Sequence, residues 1–144
     1  MIGTSRNLWS SDSGKAAIRR IVSRTQEYWA THVYNYYRRH TGKLGRSCDV
    51  IFTNGLFTVN MIPMLDVNTG MDYGRSIRHG ISAGPGEYDP EIGKRRHVGW
   101  YPGVSVNKFW TPWMNEFHPV FRDIVREEIN NAVTLYLKLE VKFA

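Results

Sequence analysis

The chain has 144 residues, enough for one domain with a modest core and too few for two independent enzymatic domains. Apolar residues make up 42% and charged residues 22%, as in ordinary globular chains, which excludes global disorder; no stretch approaches the roughly 18 uninterrupted apolar residues that span a bilayer. Nineteen Lys and Arg against thirteen Asp and Glu leave a net charge of +6, which suits nucleic acid, an anionic surface or an acidic protein and does not choose among them.

Residues 1–14 carry Gly3, Gly14 and a run of Ser and Thr around only two sizeable apolar anchors, Leu8 and Trp9, and are expected to form a loosely ordered arm. Met1 to Arg6 lacks a basic run followed by an apolar core, so no secretory signal is expected. From Lys15 to Arg39, Ile18, Ile21, Val22, Thr25, Trp29, Val33 and Tyr36 recur at spacings of three and four. This predicts one long amphipathic helix, capped by Ser11, Asp12 or Ser13 and stopped by Gly42. The period then changes to two. Cys48 to Phe52 and Leu56 to Met61 flank Thr53-Asn54-Gly55, and Asn-Gly between β-branched and aromatic runs predicts a hairpin. A further strand is expected at Met64 to Val67 or Tyr73 to Ile77.

Residues 80–108 are punctuated by Gly and Pro almost throughout and read as a long loop, the segment where a partner contact is expected. Thr111-Pro112 and His118-Pro119 both have the form of a helix start, and one of them opens a second helix along Phe117, Val120, Phe121, Ile124, Val125, Glu128, Ile129 and Ala132. From Val133 to Phe143 apolar and polar residues alternate strictly, which is a strand pattern with no turn before it. The fold class expected is α+β. A long helix and a closing helix pack on a small antiparallel sheet, in one domain comprising an arm (1–14) and a core (15–144) with the 80–108 loop.

The residues offer little chemistry. His32, His40, His79, His97 and His118 are scattered, with no pair one helical turn apart, so neither a metal nor a cofactor is expected. Asp89 and Glu91 flank Pro90 and could meet His97, but acidic residues beside Pro ordinarily serve turn geometry. Cys48, the single cysteine, rules out an intrachain disulfide, fits a reducing cytosol, and at the start of an apolar strand reads as an inert buried thiol. No glycine-rich phosphate loop and no nucleophile elbow is present.

One pattern is more specific. His40-Thr41-Gly42-Lys43-Leu44-Gly45-Arg46-Ser47 stands between the long helix and the hairpin, and Tyr73-Gly74-Arg75-Ser76-Ile77-Arg78-His79-Gly80 precedes the loop. This order resembles the tail-completion, or neck, family of tailed bacteriophages: a helix, a Thr-Gly-x-Leu-x-x-Ser turn, a hairpin, a Tyr-x-x-x-Val/Ile-x-x-Gly segment, a variable loop, and an aromatic residue, here Phe109, opening a closing helix. The likeness covers about two thirds of the chain. It departs at Gly74, where the family more usually has Ala, and it does not extend to Trp100 to Trp113 or to the alternating tail. The resemblance implies a non-catalytic virion protein, made in the host cytoplasm, that forms a homo-oligomeric ring at the head-tail junction. Its partners would be the connector or adaptor, the tail tube or the terminator, and genomic DNA passing through the channel. A tail terminator or connector stopper is an alternative of similar size, and a small basic nucleic-acid-binding domain is an alternative of another class.

The interface candidates are the helix cations Arg20, Arg24, Arg38 and Arg39 and the loop residues Lys94, Arg95, Arg96, Trp100 and Tyr101. Basic residues interleaved with Tyr34, Tyr37, Trp100 and Tyr101 favour protein contact over a bare polybasic stripe facing DNA.

Overall fold

The computed structural model describes residues 8–37, 39, 42–65, 73–79, 88–91, 93–95 and 107–143. Its elements are helix α1 (Asp12–His32), a 3-10 turn at Val33–Asn35, hairpin strands β1 (Cys48–Thr53) and β2 (Leu56–Met61), and helix α2 (Tyr73–His79). A two-residue strand pair, β3 (Tyr88–Asp89) and β4 (Lys94–Arg95), and helix α3 (Trp110–Phe143) complete the α+β fold.

Helix α1 begins three residues earlier than the apolar spacing predicts, because the Ser11 hydroxyl accepts the Gly14 N–H at 3.1 Å and caps the first turn. Residues 8–10 are helical, Leu8 is buried against Ala17 and Ala132, and Trp9 lies 4.8 Å from Phe52, ring centre to ring centre. The second half of the expected arm is therefore part of the core; residues 1–7 lie outside the described residues. The helix also stops sooner, at His32 instead of Arg39. Three tyrosines account for this. Tyr34 Oη accepts the Gly45 N–H at 2.8 Å, Tyr36 Oη donates to Glu116 at 3.1 Å, and Tyr37 packs on Phe109 at 5.0 Å, so tertiary contacts outweigh the helical ladder.

Gly42 is not the helix stop. It takes φ +80° at the head of the turn that leads into β1, a conformation only glycine adopts freely. The Leu44 carbonyl organises this turn by accepting Trp29 Nε1–H at 2.8 Å, Ser47 N–H at 3.2 Å and the Ser47 hydroxyl at 2.6 Å. The hairpin follows with Thr53 opposite Leu56, and Asn54 (φ 53°) and Gly55 (φ 81°) form the two-residue turn with both central residues left-handed.

The strand expected at Tyr73 to Ile77 is helix α2. Ile77, one turn into it, is buried and belongs to the core. Of Met64 to Val67, Met64 is buried and Leu65 forms an isolated bridge; the rest lies outside the described residues. Within the expected 80–108 loop, β3 and β4 pair antiparallel, with Pro90, Glu91 and Gly93 in turn conformation between them.

Thr111-Pro112 marks the true start of α3. Trp113 N–H bonds the Phe109 carbonyl at 3.0 Å as the first rung, and Pro112 falls in the first turn, where its missing N–H costs nothing. Pro119 lies inside the helix on an exposed face and removes one ladder bond. The strand expected after Val133 is likewise helix, continuous to Phe143. No Gly or Pro interrupts the chain there, and Ala132, with Val133 and Tyr136 against it, is held on Leu8 and Ala17.

α1 is the central element: it packs against both α3 and β1. Antiparallel to it, α3 brings Trp113 within 5.3 Å and Phe117 within 5.1 Å of the buried Trp29 ring, both edge-on. Cys48, Val50 and Phe57 close the same core from the hairpin. The closing helix thus lies along α1 more than on the sheet, because the aromatic stripe Trp110, Trp113, Phe117 is matched by Trp29 and Tyr28.

Candidate assembly interface

Two of the nine interface candidates are paired within the chain while their side chains stay 45% and 41% exposed. Arg20 and Arg24, one turn apart on α1, both face α3: Arg20 Nε lies 2.6 Å from Glu128 Oε2, Arg24 Nη1 3.1 Å from Glu128 Oε1, and Arg24 Nη2 2.9 Å from Glu127 Oε2. Glu128 is buried. Burial alone would push its carboxyl upward, but hydrogen bonds from Arg20 and Arg24 overcome this and hold it below the ordinary carboxylate value. Arg24 is raised in turn by its hydrogen bond to Glu127. A sequence signal existed: Glu128 occupies the apolar stripe of α3 at four-residue spacing from Ile124 and Ala132, and a carboxylate in a buried stripe requires a cation from the facing element.

A second polar clamp joins the same helices further along. Glu116 accepts Tyr28 Oη–H at 3.0 Å and Tyr36 Oη–H at 3.1 Å. Burial and then this carboxylate push the Tyr28 phenol up to about 12.

The other candidates distribute differently. Arg39 is exposed, with its guanidinium 5.5 Å from the centre of the Tyr34 ring. Lys94 and Arg95 form β4, opposite Asp89 and Tyr88 respectively. Arg38, Arg96, Trp100 and Tyr101 lie outside the described residues, as do His40 and His97 and most of the loop.

Exposed apolar side chains lie on the hairpin, away from all nine of these residues by sequence. β2 exposes Leu56 at 64%, and Ile51, Ile62 and Leu65 are also exposed. The alternation of the hairpin contains this signal, since Asp49, Ile51, Thr53, Leu56, Thr58 and Asn60 fall on one face by register and the core takes the other. That outer face carries a single charge, Asp49. An open cleft of about 320 Å³ lies beside it, lined by Lys43, Arg46, Ser47, Ile62, Pro63, Met64 and Leu65. Lys43 Nζ reaches the Leu65 carbonyl at 2.9 Å across the cleft. The outer hairpin face and this cleft form the candidate contact surface.

Catalytic candidates are few. Cys48 is buried, and burial, then the neighbouring Asp49, push its thiol up to about 12, which favours the protonated thiol at neutral pH. Among the described residues no group of three or more His, Cys, Asp or Glu converges on a point that could hold a metal, and no helix is long and apolar enough to cross a membrane. The chain matches no family model, no curated protein and no solved structure.

Proposed function

We propose that the chain is a structural subunit of a ring at the head-tail junction of a tailed bacteriophage, seated between the connector and the tail tube. The observation that carries this reading is the Gly42 to Ser47 turn. In the order helix, Thr-Gly-x-Leu-x-x-Ser turn, hairpin, the Leu44 carbonyl accepts from Trp29 and from the Ser47 hydroxyl and Gly42 takes φ +80°, which gives the glycine and the serine of the short motif a structural reason. The apolar outer face of the hairpin supports the same reading, since exposed Leu and Ile beside an open cleft suit contact with another subunit. The proposed role is architectural, with no catalytic step.

A second reading, a small nucleic-acid-binding domain, draws on the charge. The two cations Arg20 and Arg24 and the two anions Glu127 and Glu128 cancel, so the net +6 resides wholly on other residues. Sedimentation of the purified chain without DNA separates the readings. A ring-sized species, together with localisation to the neck of purified particles by electron microscopy, is the expected result. A monomer whose DNA affinity falls steeply with salt favours the second reading and overturns the first.

A further inference from the structure

The tail of α3 and the outer edge of β2 have complementary defects. Residues 137–143, Leu-Lys-Leu-Glu-Val-Lys-Phe, alternate apolar and charged at period two, yet they lie in a helix. At about 100° per residue, a helix sets Leu135 and Leu137 about 200° apart, so one packing face cannot bury both. They are 49% and 46% exposed. As a strand, the same seven residues would put Leu137, Leu139, Val141 and Phe143 on one face and Lys138, Glu140 and Lys142 on the other.

β2 presents the matching edge. Its partner β1 is covered on the far side, where α1 packs and Gln26 Nε2–H bonds the Cys48 carbonyl at 3.2 Å. β2 is paired only to β1 among the described residues, and its six residues, Leu56 to Met61, include no charge, Pro or Gly of the kind that guards an edge. A strand added there continues both faces of the hairpin. Its apolar residues would extend the row of Phe57, Val59 and Met61, and its two lysines and one glutamate would extend the Thr58, Asn60 row, beside which the only charge is Asp49.

We propose that β2 accepts residues 137–143 of a second copy of the chain as an added strand, the segment leaving its helical form on assembly while α3 stays helical through Tyr136. The inference deepens the ring reading by naming the contact between neighbours. Seven residues match the six of β2 in length, and Ala132, Val133 and Tyr136, which hold the helix to Leu8 and Ala17, remain in place.

The test mixes an isotopically labelled chain lacking residues 138–144, which keeps the edge and loses the segment, with unlabelled full-length chain, and follows hydrogen exchange at the β2 amides together with sedimentation. The expected result is at least tenfold slower exchange at labelled β2 when full-length chain is added, and no slowing when the added chain carries Val141→Pro, which interrupts a ladder. The truncated chain alone should assemble at least tenfold more weakly while keeping its melting temperature within a few degrees. Rings that form with β2 exchanging as in the monomer overturn the added strand and leave the ring reading standing. Slowed exchange that persists with Val141→Pro also overturns it, because a helical or side-chain contact would then be responsible. A dimer or other small assembly with slowed β2 exchange supports the strand and refutes the ring.

Discussion

Trp29 is the residue whose loss tests the fold most directly. It is 1% exposed, it is edge-on to Trp113 and Phe117, and its Nε1–H bonds the Leu44 carbonyl. Trp29→Ala removes an indole that buries on the order of 200 Å², worth about 5 kcal/mol at roughly 25 cal/mol per Å², and measured core truncations of this kind cost about 3–5 kcal/mol. Trp29→Phe separates packing from hydrogen bonding. The Leu44 carbonyl keeps both Ser47 donors, so it is not orphaned, and the expected cost is only about 1–2 kcal/mol. Phe121, half-buried and stacked on Phe117 at 5.9 Å, sets the lower reference: Phe121→Ala should cost about 1–2 kcal/mol, less than a fully buried ring would. Urea unfolding followed by far-ultraviolet circular dichroism gives all three values without relying on tryptophan fluorescence. At roughly 3–5 °C per kcal/mol for a chain of this size, Trp29→Ala should lower Tm by about 10–20 °C. A loss below about 1 kcal/mol for Trp29→Ala, or a larger loss for Phe121→Ala, refutes this account of the core.

Glu128 should govern the acid limb. Its folded carboxyl is held below the unfolded value near 4.3, so the stabilisation is present above about pH 4.5 and disappears as pH falls through the lower folded value; Glu128→Gln should cost about 1–3 kcal/mol at pH 7 and flatten the pH dependence of urea midpoints between pH 5 and 3. Tyr28 acts at the other end: with its phenol raised from 10 to about 12, stability should fall as pH rises from 10 to 12, and Tyr28→Phe should lose part of that slope. Thr25 Oγ1 is buried with no hydrogen-bond partner among the described residues, so Thr25→Val, of equal shape, should leave stability unchanged or raise it by about 1 kcal/mol in the same urea assay. Cys48 should react with a maleimide at pH 7.5 only at the rate of unfolding, and a rate near that of a free thiol would contradict its burial.

The sequence made the long helix, the hairpin and the start of the closing helix legible because each is signalled locally: three-and-four spacing with a serine cap, Asn-Gly between alternating runs, and Pro at a helix entry. It misled where tertiary contact decides. The alternation of Val133 to Phe143 is a strand pattern held in a helix by Ala132 packing on Ala17 and Leu8, and these partners are more than a hundred residues away along the chain. Tyr36 reads as part of the apolar stripe of a longer helix, and Tyr34 and Tyr37 as contact residues beside the cations, yet each is drawn to a separate distant partner, which ends the helix early. Of the candidate interface, the cations were legible as charge only. The spacing sets Arg20 and Arg24 opposite the apolar stripe, where they stay 45% and 41% exposed; that they also reach a buried carboxylate is told only by Glu128 on the other helix.

That assignment changes what a charge-reversal experiment means. Reversing Arg20 or Arg24 to Glu would set a new carboxylate against the buried Glu128 and loosen α1 from α3, so lost assembly would report lost folding. Arg19 is also on α1 and exposed, and Arg39 lies on the exposed rim of Tyr34. Reversal at these two alters the charge of exposed side chains and leaves the Glu128 clamp untouched. Neck contact through basic residues then requires fewer tail-joined particles at unchanged Tm, whereas DNA contact in the channel requires normal joining with reduced DNA content. The two roles separate only because the cations that clamp Glu128 have been set aside.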